Sequence, residues 1–188
     1  FVIMSTTSLR RDHELIEKVI KAMESTIQLL NNNTKIPESI LLPVIDFSKN
    51  FTDVCHHTKE EKSLFPALEQ AGMPSKMGPI AMMLIDHQRS REIGNEMEKS
   101  AKEYLSSGNS EKLISDMQLY VDHITEHLWK ENNKLFMMAE ARLQNVSKKV
   151  NEELKEVEEL QLNELGKSRQ HYEELAENLT RDVSNGKN

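Results

Sequence analysis

The segment His56-His57-Thr58-Lys59-Glu60-Glu61-Lys62-Ser63-Leu64-Phe65 aligns without a gap with His127-Leu128-Trp129-Lys130-Glu131-Asn132-Asn133-Lys134-Leu135-Phe136. Upstream of each copy stands a second echo, Asp12-His13-Glu14 for the first and Asp86-His87-Gln88 for the second. A chain built this way folds as two copies of one unit, and each copy supplies His, His and Glu in the same order.

The units are helical. Only 6 Gly and 5 Pro punctuate 188 residues, too few for a turn-rich β-sandwich or a disordered linker protein. Turn clusters at Asn31-Asn32-Asn33 with Pro37, Ala71-Gly72-Met73-Pro74-Ser75 with Pro79, and Ser106-Ser107-Gly108-Asn109 place Pro to open helices and Gly to close them. They predict helices over 8–30, 37–71, 76–106 and 110–142. Leu9, His13, Ile16, Ile20, Met23, Ile27 and Leu30 form a bundle stripe in the first helix, with steps of about three and four residues. Ile80, Met83, His87, Ser90, Gly94, Met97, Ala101 and Tyr104 repeat it in the third, and Leu113, Met117, Tyr120, Ile124, His127, Glu131 and Met138 in the fourth. The second helix is broader, through Leu41, Val44, Ile45, Phe51, Cys55, Leu64 and Leu68. Short connections make neighbours antiparallel, so the fold class is all-α, an up-down-up-down four-helix bundle over residues 1–142. Residues 143–188 form a charge-rich helical extension with apolar spacing at Val146, Val150, Leu154 and Val157, then at Tyr172, Leu175 and Leu179. It is expected to pack on the bundle or on a partner chain, where it would serve as an oligomer contact, or to stay a solvated tail, and to fray from Asp182 to Asn188.

Counting along the helices brings the histidines to one height. His13 lies about 17 residues before the end of its helix and His56 about 19 into the next; His87 and His127 lie about 20 and 18 residues either side of the Gly108 turn. Across the middle turn the counts are about 11 and 12. Four imidazoles from four helices therefore share one layer.

Glu60 and Glu131 follow His56 and His127 at i+4, on the same helix face. Carboxylates in a bundle core carry a heavy desolvation cost, and no Lys or Arg except Arg91 shares their stripes. Two metal ions would supply the missing positive charge. A single cysteine, Cys55, excludes disulfides and multi-cysteine zinc or iron–sulfur sites, so the ligands are nitrogen and oxygen. The net charge of −7 offers no basic footprint for nucleic acid. No apolar run approaches the ~20 residues of a membrane span. Phe1 to Ser8 lacks the basic stretch and cleavage site of a secretory leader, which points to the cytoplasm, and Met4 offers an alternative start that would make Phe1 to Ile3 a remnant.

These motifs, with His-His-x-Lys-Glu-Glu-x-x-Leu-Phe-Pro-Ala-Leu, Ala-Gly-Met-Pro, Gly-Pro-Ile-Ala-Met-Met-Leu-x-x-His and His-x-x-Lys-Glu-x-x-x-Leu-Phe-x-Met-Ala in order, resemble the bacterial and archaeal hemerythrin-like (HHE cation-binding) proteins over about residues 9–142. The tail also resembles the helical extension of some members. The resemblance implies a non-haem centre of two iron ions with an oxo or hydroxo bridge, open to a small ligand such as O₂ or NO; zinc and manganese are alternatives. Carried over by position, the metal ligands are His13, His56, Glu60, His87, His127 and Glu131, with both glutamates bridging. Oxygen carriers of this family place another histidine one turn after the first in helix three. Here that position is Arg91, which puts reversible O₂ carriage in doubt. His123, one turn before His127, is the alternative fifth imidazole, against a merely polar role.

The remaining reactive residues have plainer readings. His57 and Glu61 sit about 100° from the inward stripe, so His57 is expected beside the site or on the surface and Glu61 in solvent. His171 belongs to the tail, Tyr120 to the core or a pocket wall, and Cys55 to an inert core. The Glu-x-x-His pairs of ferritin-like oxidases are missing from the sequence. Three function classes stand: a binding protein for O₂, NO or iron, ranked first; an enzyme for peroxide or NO reduction or iron–sulfur repair; and a bundle with a structural metal.

Overall fold

The computed structural model describes residues 3–186, so the expectations for Phe1, Val2, Lys187 and Asn188 lie outside the described residues. The chain is all-α, a helical bundle with an appended helical hairpin. Its helices are α1 (Thr7–Asn31), α2 (38–70), α3 (Pro79–Ser107), α4 (111–142), α5 (Ser147–Leu165) and α6 (Arg169–Asn185). Gly108 and Gly166 close α3 and α5 with φ of 78° and 65°, the left-handed turn that glycine adopts without steric cost.

Helices α2 and α4 are not wound uniformly. Phe47–His57 and Glu60–Leu64 in α2, and Glu131–Leu135 in α4, are π-helical, a winding that is rare and concentrates at functional sites. In both halves of the repeat a π turn begins at the glutamate. Pro66 follows the first of these turns, but its counterpart Met137 follows the second, so a missing proline N–H is not the shared cause. The wider turn explains the broad face of α2. It also corrects the fourth stripe: beyond Glu131 the buried positions are Leu135, Phe136 and Ala139, while Met138 is 38% exposed.

The buried apolar side chains form two clusters. One holds Ile16, Phe51, Cys55, Ile93, Ile124 and their neighbours; the other holds Leu9, Leu64, Phe65, Met83, Leu135 and Phe136 with theirs. On every bundle helix the change from one cluster to the other falls at a residue of the polar layer: His13 between Leu9 and Leu15, His56 and Glu60 between Cys55 and Leu64, His87 between Met83 and Ile93, and Glu131 between Leu128 and Leu135. A polar layer thus crosses the bundle between two dry slabs.

The extension packs on its own bundle. Leu162, Tyr172, Ala176, Leu179 and Val183 join the first cluster, and Val150 and Leu154 the second. The fraying expected from Asp182 is absent as far as the helix end at Asn185, because Val183 is buried. Among the described residues no helix is long and apolar enough to cross a membrane.

Candidate metal centre

The polar layer contains all six residues singled out by the repeat. His13 and His56 gather with Glu60 and Glu131, and His87 and His127 gather with the same two glutamates. All six are buried, both carboxylates completely. The carboxylates are shared in a specific way. Glu60 Oε1 lies 2.9 Å from His56 Nε2, while its Oε2 lies 3.0 Å from His87 Nε2. Glu131 turns Oε1 to His127 and Oε2 to His13, the latter at 3.9 Å. Each carboxylate therefore spans the two histidine pairs, one oxygen apiece.

Four acceptors hold the outer ring nitrogens. His56 Nδ1 is 2.9 Å from Asp12 Oδ2, His127 Nδ1 3.2 Å from Asp86 Oδ2, His87 Nδ1 2.9 Å from Glu61 Oε1 and His13 Nδ1 2.8 Å from Asn132 Oδ1. The pattern obeys the repeat: the residue before each first histidine holds the second, and the residue after each glutamate holds a first histidine from the other half. Lys59 and Lys130, which precede the glutamates, complete it by donating to Asp12 and Asp86, each at 2.8 Å. Phe136 and Phe65 stack on His13 and His87. With Nδ1 bonded outward, each ring carries its Nε2 inward, the usual way a protein orients a metal-binding imidazole.

The inward atoms are left without partners. Both oxygens of Glu60, both of Glu131, and Nε2 of His87 and His127 are buried with no hydrogen bond; the ion-pair distances above are short, but the geometry is not that of a bond. An unsatisfied buried polar group costs about 1–3 kcal/mol, so six such atoms facing one point ask for a charged occupant. His13 and His56 present Nε2 atoms 3.2 Å apart, and two nitrogens each about 2.1 Å from one ion at roughly a right angle are about 3 Å apart. The donor set fits one metal ion per histidine pair.

Charge inside the layer is strongly redistributed. Burial alone would lower His56, but Glu60 and Asp12 outweigh it and raise the imidazole to about 9. Burial opposes the charged form of His87 too, and Glu131, Glu60 and Glu61 overcome it. His13 goes the other way, down to about 4, through burial and the neighbouring His56 charge. Asp86 resists burial through His127 and Lys130 and falls to about 2.

The flanking residues separate from the six. His57 is buried with Nδ1 3.1 Å from Asp53, and a ring nitrogen lies near those of His87 and His127. Its ring stacks on His87 at 3.9 Å and 15°, however, and two parallel stacked rings cannot aim in-plane lone pairs at one ion. His57 buttresses His87. It also lines a cavity of about 220 Å³ together with Thr52, Ser90, Gly94 and Tyr120, so its ring stands between that space and the site. His123 is not brought to the cluster: its Nε2 lies 3.0 Å from the Asp86 carbonyl and 3.0 Å from Ser90 Oγ. Arg91 stays at the rim, donating to Asp53 and Glu61. Glu61 is therefore not simply solvated: a position 100° off the inward stripe faces the adjacent helix. The Cys55 thiol is buried and pushed up to about 12 by that burial, so it carries no thiolate.

Stripe reasoning missed Asp12, Asp86, Lys59, Lys130 and Asn132, although the first four are identical between the two halves. If each histidine pair holds one ion, Asp86→Ala is expected to weaken the ion at His87 and His127 about 10–100-fold by removing the acceptor that orients His127. Chelator competition measures it, and equal weakening of both ions would contradict the pairing.

A family model described as the Hemerythrin HHE cation binding domain matches residues 4–139. No match was found among curated proteins or among solved structures.

Proposed function

The chain belongs to the hemerythrin HHE cation-binding family, and on that premise we propose that it is a non-haem di-iron protein that takes up O₂, NO or iron in a cytoplasmic setting. One observation carries the reading: four inward imidazole nitrogens and four carboxylate oxygens converge in a buried layer, six of these atoms lacking a hydrogen bond. His13 and His56 would hold one ion, His87 and His127 the other, and Glu60 and Glu131 both. Iron is favoured over zinc because two carboxylates shared between two ions suit a paired redox centre. When bound, such a pair supplies a reversible change of oxidation state and open coordination positions for a small ligand.

The chain's own part is positioning and exclusion. The four outer acceptors fix the imidazole planes, and the two apolar clusters keep bulk water from the layer. The His57 ring covers the side facing the cavity, so a small molecule in that cavity meets His57 before it meets the site. Two imidazoles for each ion, with Arg91 where an oxygen carrier has another histidine, would leave each ion room for exchange.

An enzymatic reading is favoured by one feature. The cavity beside His57 is lined by Thr52, Ser90 and Tyr120, polar side chains that a bare diatomic binder does not need. Anaerobic loading with Fe(II), followed by O₂ or NO and then by gas removal, separates the readings by visible absorption. Two irons per chain and a reversible spectrum are expected for the binder. Catalytic consumption of NO or peroxide would establish the enzyme instead, and iron below one per chain would overturn both.

A further inference from the structure

We propose that the C-terminal hairpin α5–α6 is coupled to one half of the metal centre through the chain Arg169–Asp12–His56, so that metal loading and hairpin docking strengthen each other. The inference rests on the two-ion reading above and extends it to a segment outside the matched residues 4–139.

Arg169 opens α6. A cation there is poorly placed for its own helix, whose N-terminal end carries partial positive charge, so the placement calls for another cause. Its Nη1 donates to Asp12 Oδ1 at 2.6 Å and to Glu158 Oε1 of α5 at 2.9 Å, and its Nε to Glu173 at 3.0 Å. The guanidinium also lies over the Phe51 ring, 5.5 Å from its centroid. Asp12 Oδ2 meanwhile faces His56 Nδ1 and receives Lys59, which in turn donates to Glu158 at 3.1 Å. The result is a closed set of two cations and two anions between the hairpin and the bundle, one bond removed from a metal-facing imidazole.

The internal repeat supplies the comparison. Asp86 occupies the place of Asp12 in the other half and receives Lys130, but no arginine reaches it, and its side chain is 15% exposed against 0% for Asp12. Through these bonds the hairpin reaches the outer acceptor of one histidine pair and not that of the other. Arg169 is a positioning residue: it holds Asp12, which holds His56. Coupling of this kind is reciprocal, so whatever factor the docked hairpin adds to affinity for the ion, the ion adds to docking.

The test uses the full chain and Fe(II) under anaerobic conditions. Chelator competition on Arg169→Gln is expected to show one of the two ions weakened about 10–100-fold and the other unchanged, with Arg169→Lys recovering part of the loss. In the wild-type chain, amide exchange across the α5–α6 turn is expected to slow by a similar factor when iron is added, and this response is expected to vanish in Arg169→Gln. Equal weakening of both ions would reduce Arg169 to a general stabiliser and overturn the proposal. Two ions bound by the wild type with no change in exchange overturns the coupling alone, whereas fewer than two ions bound overturns the two-ion reading and the coupling with it.

Discussion

Glu60→Ala is expected to lower iron binding from two ions per chain to at most one at stoichiometric iron, with the second ion weakened by more than about 100-fold. Glu60 directs one oxygen to His56 and the other to His87, so its loss removes a donor from both ions at once. It also removes one of the two anions that would offset repulsion between neighbouring cations in a buried layer. Partners one bond further out already cost about 10–100-fold in affinity, which sets the floor. Glu60→Gln is the sharper variant: it keeps the volume and cannot leave a cavity, but it lacks the charge and the second oxygen. Both variants should lose some metal-free stability, because Glu60 helps to keep His56 and His87 protonated, so circular dichroism of each variant accompanies the iron measurement. Glu131 is placed equivalently, and Glu131→Ala should reproduce the loss. Iron analysis after gel filtration checks the prediction, and two tightly held ions in either variant would show that the carboxylates do not bridge.

Much of this centre is legible in the sequence because burial in a bundle selects one face per helix. His13, His87 and His127 stand where an apolar residue would keep the stripe, so periodicity assigns them to the interior; His56 lies off the stripe of the second helix and is reached through the repeat and through helix length, which brings all four level. The ring of outer acceptors is not legible by that route. Asp12, Asp86, Glu61 and Asn132 lie one position off the stripe, where a polar residue reads as solvated; in the bundle that flank faces the neighbouring helix. The register beyond Glu131 is lost for a different reason. A π turn adds a residue without any signature in composition, moving burial from Met138 to Ala139. The extension shows a third limit. Tyr172 and Leu179 declare an apolar face, but such a face does not name its partner, and only Arg169 meeting Asp12 identifies the bundle's own metal layer.

Raising the pH from about 6.5 to 9 is expected to weaken the metal-free protein and to strengthen the iron-loaded one. In the metal-free protein His56 titrates near 9, above the ordinary 6.5 of an unfolded chain. A group raised in this way contributes stability in full below pH 6.5 and loses it as the pH climbs through 9. A shift of that size corresponds to on the order of 3 kcal/mol, and His87 and His127 are raised as well. His13 works in the opposite sense. Lowered to about 4, it costs stability as the pH falls from 6.5 toward 4, because the unfolded chain takes up the proton first. The metal-free stability maximum should therefore sit near pH 6.5. Iron reverses the upper limb, since a bound ion needs neutral imidazoles and displaces the protons of His56, His87 and His127. Loading near pH 6.5 should release about three protons, and affinity should tighten with pH until those rings are deprotonated. At free iron about 1,000-fold above Kd the gain is about 4 kcal/mol, or on the order of 10 °C in Tm for a chain of this length. Thermal unfolding at pH 6.5, 7.5 and 8.5, with chelator or with anaerobic Fe(II), should show the two Tm curves diverging as pH rises. Parallel curves, or loading without proton release, would mean that the raised imidazoles are not the groups that bind the metal.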